Sequence, residues 1–304
     1  MLILSIVLAA MAPVMTTRNK TEQSSPWKYS EGNLSDAYYG LGDSQTAMIG
    51  QREFTDTDET AKLIINSSSS RPSQISFKHN GTNQGILRLL NNSIMLGSMT
   101  AGSSLGDESV SIGYFSDGSG DYSVSLGRSS RASGTDSTAL GNSSKSVGGG
   151  ATSLGYNSEA SKDYSTALGS SSKATGDDAT AIGYMSAASG DSAVSIGYNS
   201  SAGTNNTAVG SKSEASGSKS SALGYEAKAS GTWSSAYGYQ SKASGNYSSA
   251  YGEQSLAEGG SSSAFGNGAH ASGESSSAYG NEATASGSTS VSYTHLTLPT
   301  ILRV

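Results

Sequence analysis

Tyr239-Gln240-Ser241-Lys242-Ala243-Ser244-Gly245-Asn246-Tyr247-Ser248-Ser249-Ala250-Tyr251-Gly252 is one turn of a repeat that runs through most of the chain. Its closing glycine recurs at 113, 127, 141, 155, 169, 183 and 197, and then, one residue early, at 210, 224, 238, 252, 266 and 280. Residues 100–280 therefore hold thirteen units, twelve of 14 residues and one of 13. A fixed period of this kind is the signature of a solenoid. Numbering the places from Tyr239, a second glycine stands at the seventh, so each unit is two half-units ending in Gly, each a short strand and a turn. Gly245 and Gly252 are expected to supply the positive φ that turns need.

Alternate residues of a strand share a face. The third and fifth places are small, as in Ser172 and Ala174, Ser213 and Ala215, Ala227 and Ala229, Ser241 and Ala243, or Ala269 and Ala271. So are the tenth and twelfth, as in Ser220 and Ala222, Ser234 and Ala236, Ser248 and Ala250, or Ser276 and Ala278. Two facing strands can enclose only small side chains, so these four places are predicted to point into a thin roll. The thirteenth place, by alternation, points out. It carries Ile112, Leu126, Leu140, Leu154, Leu168, Ile182, Ile196, Val209, Leu223, Tyr237, Tyr251, Phe265 and Tyr279. Leaving such a ridge in water forgoes about 1.5 to 3 kcal/mol of burial per residue, and apolar patches of that size mark interfaces. The roll is thus expected to be a closed oligomer packed on these residues, bordered by Val110, Val124, Val194 and the Thr and Ser of the eleventh place. The second and fourth places (Arg131, Lys145, Glu159, Lys173, Glu214, Lys228, Lys242 and His270 at the fourth) are polar and form a solvated face. At about 4.8 Å per stacked strand the repeats make a rod roughly 60 Å long.

Composition agrees with a repeat rather than an ordinary core. Among 304 residues the hydrophobic share is 34% and the charged share 14%, both low. A net charge of −6 from scattered single charges, with no basic run, argues against nucleic-acid binding. With no cysteine there is no disulfide framework and no thiolate metal site. The histidines are three, His79, His270 and His295, the last in a C-terminal stretch that breaks the composition, and they make no motif for a metal or a general base, so no catalysis, metal or cofactor is expected. Gly148-Gly149-Gly150 lacks the rest of a phosphate loop and reads as turn glycines. Gly-Asp pairs at 106, 120, 176 and 190 invite a calcium-roll reading, but that roll has a nine-residue period, and solvated turns are the better account. Nor do the carboxylates cluster as polysaccharide hydrolysis would need. Aromatics recur at the first place, Tyr114, Tyr156, Tyr184, Tyr198, Tyr225 and Tyr239, and at the ninth, Tyr122, Tyr164, Trp233 and Tyr247. Two readings of them stand: rings that stack on one another and shield the turns, or a row of contacts for a surface ligand.

Asp191-Ser192-Ala193-Val194-Ser195-Ile196-Gly197, followed by Ser200 and Ala202, and Ala179-Thr180-Ala181-Ile182-Gly183, followed by Ser186 and Ala188, resemble the YadA-like head repeats of trimeric autotransporter adhesins. The resemblance covers 100–280. It implies a left-handed parallel β-roll, a homotrimer, and an adhesive head on the outer surface of a Gram-negative bacterium. The expected partners are then the chain itself and a host extracellular-matrix or cell-surface protein or glycan, or a neighbouring cell. A bacteriophage tail fibre or spike, with the same trimeric β architecture in a virion, is the alternative.

Four regions are expected. Met1 to Met15 is apolar from Leu2 through Ala12 apart from Ser5, and Ala10-Met11-Ala12 has the form of a signal-peptidase site. No Lys or Arg precedes it, so a mis-assigned start or a short buried segment is the other reading. Residues 16–99 read as a β-rich cap, in which Ser73–Lys78 and Gly85–Leu89 flank a hairpin at His79-Asn80-Gly81. Within it, Ser93-Ile94-Met95-Leu96-Gly97 and Thr46-Ala47-Met48-Ile49-Gly50 look like degenerate repeat ends. Residues 100–290 are the roll. Val291 to Val304, VSYTHLTLPTILRV, breaks the composition; back-translated, it resembles a transposon-end adapter used in sequencing libraries and is expected to be non-native, although Ser290 to Tyr293 also fit another repeat. No stretch reaches the roughly 18 to 20 apolar residues of a membrane helix, so anchoring is expected only through a C-terminal region absent from this sequence.

Overall fold

Backbone pairing between residues 14 apart builds almost everything in the computed structural model, which describes residues 27–30, 33–39, 73–79, 82–90, 92–98 and 105–294. Contacts divide the chain into residues 1–64 and 65–304. In the first unit, β1 (Trp27–Ser30) pairs antiparallel with β2 (Asn33–Tyr39).

The second unit opens with β3 (Ser73–His79), antiparallel to β4 (Thr82–Leu90) in a register that brings His79 opposite Thr82. That register fits the predicted hairpin, whose turn residues Asn80 and Gly81 lie outside the described residues. β4 pairs antiparallel with β5 (Ser93–Ser98), and from β5 onward every pairing in the second unit is parallel. Leu96 lies beside Ile112 and Gly97 beside Gly113, so Ser93–Gly97 is a repeat end, as its sequence suggested. Thr46–Gly50 and residues 295–304 lie outside the described residues.

From the coil of residues 128–141 onward, each coil through 267–280 adds one strand to each of two sheets. Places eleven to thirteen, such as Ser249–Tyr251, join a sheet of 17 strands that begins at β3 and ends at Val291–Tyr293. Places four and five, such as Lys242–Ala243, form a sheet of 12. The pairs at the two ends of the long sheet are open, since β3 pairs only with β4 and Val291–Tyr293 only with Ser277–Tyr279. Register is strict: Ser249, Ala250 and Tyr251 lie beside Ser263, Ala264 and Phe265. The turns are bonded between coils too, with Gln254 N–H donating to the Tyr239 carbonyl and Tyr247 N–H to that of Thr232, both at 2.7 Å. A chain rich in Ser and Gly, with little apolar area, is thereby ordered through its backbone groups.

The four small places face inward as predicted. Ala222, Ala236, Ala243 and Ala250 are each 0% exposed. At the N-terminal end larger side chains are buried as well, Met95 at the inward twelfth place and Leu105 at the sixth. The serines at the inward places are not equivalent. Third-place hydroxyls donate to the carbonyl of the preceding glycine, as Ser241 Oγ does to Gly238 O at 3.2 Å. Several tenth-place hydroxyls, among them those of Ser234, Ser248 and Ser262, are buried without a partner. The same substitution should then have opposite signs at the two places. Ser248→Ala is expected to raise stability by about 1 kcal/mol and Ser241→Ala to lower it by about as much, read from urea midpoints at constant m.

Of the two glycines of a unit, the closing one meets the expectation and the seventh-place one does not. Gly252 has φ +135° and the other closing glycines are similar. Gly245 has no positive φ. It is glycine because a Cβ there would overlap the carbonyl of Gly259 in the next coil. The left-handed turn positions are instead the second and ninth, and they are occupied mostly by other residues, such as Gln240 (φ 52°) and Tyr247 (φ 57°). The coil-to-coil bonds at these positions hold a conformation that costs an L-residue about 1 to 2 kcal/mol.

Candidate functional site

Two outward strips carry the large side chains. On the long sheet, the thirteenth-place ridge points away from the roll interior, and Leu154, Leu168 and Leu223 are 41%, 39% and 38% exposed in the single chain. Its C-terminal third is a continuous aromatic stack: Tyr237 meets Tyr251 edge-on at 4.7 Å between ring centroids, Tyr251 stacks on Phe265 at 5.0 Å, and Phe265 on Tyr279 at 5.3 Å. Ile94 and Leu96 of β5 extend the apolar strip by one strand.

The first-place tyrosines form a second strip on the turn beside the ridge. Tyr184 stacks on Tyr198 at 5.7 Å and Tyr225 on Tyr239 at 5.2 Å, each pair nearly parallel. Tyr114 instead leans on Phe115 of its own turn. Tyr156 is separated from Tyr184 by the coil of Ser170, and Tyr198 from Tyr225 by the coil of Ser211. Of the two readings, stacking describes the two pairs, while all six tyrosines keep 40% or more of their surface exposed. At the ninth place the Lys219 ammonium sits 4.4 Å above the Trp233 ring.

Sequence reasoning missed the cluster around Ser211. The Lys212 ammonium lies 3.0 Å from one Glu226 oxygen, and Gln240 Nε2 donates to the other at 2.9 Å. Lys212 also sits 5.6 Å above the Tyr225 ring, and Lys228 pairs with Glu214 at 3.3 Å. Beside them runs a shallow groove of about 550 Å³ over the second to fourth places of successive coils, from Met185 to Lys228. The 13-residue coil, 198–210, crosses this region. In it Asn206 replaces the usual tenth-place Ser or Ala, and its amide donates to the Ala215 carbonyl and accepts from Ser220 N–H, at 2.8 and 2.9 Å. The longer side chain fills the space the shortened turn vacates. The missing residue and the Asn in a small-residue column were the available signals.

Hydrogen bonding from Gln240, and then from Lys212, lowers the Glu226 carboxyl from 4.5 to about 2. The bond to Glu226 raises Lys212 above its ordinary 10.5. A depressed carboxyl contributes stability that is complete above its ordinary value and lost as pH falls through the folded one. The network is therefore expected to persist at pH 4 and dissolve near pH 2. Carboxyl carbon NMR of Glu226 should show that midpoint, and Gln240→Leu should move it upward.

Elsewhere the turn carboxylates serve the backbone. Asp121, Asp163 and Asp191 each accept the eighth-place N–H of the preceding coil, at 2.8 to 3.1 Å. Among the described residues no three His, Cys, Asp or Glu side chains are grouped to hold a metal, and no helix is long and apolar enough to cross a membrane.

The profile of the YadA head domain repeat matches residues 119–144, 146–172, 174–200, 201–227, 229–255 and 257–283, more than half of the chain. The chain belongs to the YadA head repeat family. Each match spans about two coils of the roll, and the fourth begins inside the 13-residue coil. Among solved structures, the YadA head repeats here are similar to the collagen-binding domain of Yersinia adhesin YadA, with 22% identity over 61% of this chain and 73% of that one and a TM-score of 0.19. No curated protein sequence matches the chain significantly.

Proposed function

We propose that this chain is the head of a trimeric, non-enzymatic adhesin displayed on the outer surface of a bacterium, where it attaches the cell to host extracellular matrix, to a host cell-surface protein or glycan, or to a neighbouring cell. The exposed apolar ridge carries the reading. It is continuous from Leu96 to Tyr279, and three copies packed on it bury it in a closed assembly. Membership of the YadA head repeat family supports the same arrangement. A rigid rod with three equivalent flanks can hold a surface by repeated weak contacts, whose avidity exceeds any single one by orders of magnitude.

Attachment is tested directly by coating beads with the assembled protein and counting beads retained under flow on matrix proteins, collagen included, and on cultured cells. Retention above that of beads coated with an unrelated protein is expected. Replacing Tyr114, Tyr156, Tyr184, Tyr198, Tyr225 and Tyr239 by Ser is expected to release the beads without dissociating the assembly. Equal retention of wild-type and control beads on every surface would count against an adhesive role.

A further inference from the structure

The tyrosine ladder has a single missing rung where the groove runs past it. Lys212 N–H donates to the Tyr198 carbonyl and Glu226 N–H to that of Ser211, so Tyr198, Ser211 and Tyr225 occupy the same place in three successive coils. Adjacent rungs stack at 5.2 and 5.7 Å. Two coils apart, Tyr198 and Tyr225 are about 10 Å from each other, twice the strand spacing, with the half-buried Ser211 and the Lys212 ammonium over the Tyr225 ring between them. That interval admits one ring-shaped group with a tyrosine on either side. The groove starts at the residue after each rung, with Asn199, Lys212 and Glu226 along it and Ser201 and Glu214 further in.

We propose that the gap at Ser211 is a carbohydrate subsite that takes one neutral pyranose residue between Tyr198 and Tyr225. The proposal rests on the adhesive reading and names the ligand class for part of it. A pyranose has C–H faces that suit tyrosine rings and an equator of hydroxyls that suits amide, hydroxyl, carboxylate and ammonium groups. A phenyl or indole ring from a protein partner would fit the same width but would strip water from that polar edge without replacing its hydrogen bonds. Lys212 with Glu226 and Lys228 with Glu214 are already paired, so the lining is charge-balanced and suits an uncharged sugar. On entry the sugar takes the place of the Lys212 ammonium over Tyr225, and Lys212 keeps its pairing with Glu226. Packing on the ridge leaves the outward face of the 12-stranded sheet, onto which the groove opens, to solvent.

The test is saturation-transfer NMR on the full assembled chain with lactose, cellobiose, N,N′-diacetylchitobiose and, as the aromatic probe, N-acetyl-tryptophanamide. Transfer to ring C–H protons of at least one disaccharide at millimolar concentration is expected. Ser211→Tyr supplies the missing rung and should abolish it, and Tyr225→Ser should weaken it about tenfold. Ser170→Tyr fills the other single gap, between Tyr156 and Tyr184, and should leave it unchanged. Transfer to no disaccharide, transfer that survives Ser211→Tyr, or a Ser211→Tyr-sensitive signal from the tryptophan probe alone would each overturn the proposal. Bead retention separates the two readings: silent sugars on a protein whose beads still attach remove the subsite and leave the adhesin.

Discussion

On the proposed trimer, replacing Leu154, Leu168 and Leu223 together by Asp is expected to turn a particle of three chains into monomers, with light scattering reporting a threefold fall in mass. These residues lie on the ridge, well exposed in a single chain, and each forgoes about 1.5 to 3 kcal/mol of burial if nothing covers it. Three changes per chain give nine carboxylates in one seam. Their desolvation and mutual repulsion add to the lost burial, since a charge placed in an apolar contact without a partner is among the costliest of substitutions. The interior of each roll is untouched, because these side chains alternate with Ser153, Ala167 and Ala222, which remain inside. Secondary structure by circular dichroism should therefore survive. Changing Lys145, Lys173 and Lys228 to Asp on the opposite outward face is the matched control and should leave the mass unaltered. A wild-type chain that is itself a stable soluble monomer would refute trimerisation on this ridge.

The second large effect is expected from one methyl group. Gly245→Ala should destabilise the roll by about 3 kcal/mol, at the upper end for overpacking. The added Cβ would meet a backbone carbonyl, that of Gly259, and no side chain can swing aside to accommodate it. The stacked coils have to separate locally, which breaks the bonds from Ser244 and Gly245 N–H to the Ala257 carbonyl. Because each coil touches only its neighbours, hydrogen exchange should accelerate around 240–260 and little elsewhere. Gly260→Ala is the comparison. A Cβ there meets nothing within 4 Å and the backbone needs no positive φ, so the change should be neutral or stabilising by about 0.5 kcal/mol.

Much of this architecture could be read from spacing because each coil repeats the same environment. Ala243 and Ala250 announced themselves as interior by being small at every recurrence, and Leu223 as exterior by being large beside them. The hairpin at 73–90 was legible from a different cue, an alternating run and an apolar run around His79-Asn80-Gly81. What spacing could not reveal was why Gly245 is glycine. Nothing in one coil shows how close the next one lies, and a seventh-place glycine looks the same whether it is needed for φ or for clearance. The left-handed second and ninth places were hidden for the opposite reason: Gln240, Tyr247 and Trp233 are not turn residues by propensity, and bonds from neighbouring coils hold them there. The gap at Ser211 required knowing that rungs stack at about 5 Å, since in sequence it is one serine among many.

The short coil, 198–210, shows how a deletion is absorbed. A one-residue slip in a sheet ordinarily turns every later side chain to the wrong face. Here Ser195, Ala208 and Ala222 remain aligned across the shortened turn, and Asn206 fills the space left behind. Phase is thus restored within one coil. A gene encoding such a rod can lose a codon in a turn, or gain or shed whole coils by unequal recombination, and still specify a continuous shaft. Length becomes a trait that can vary in steps of about 5 Å, so a lineage can adjust how far one end of the rod stands from the other without redesigning any coil.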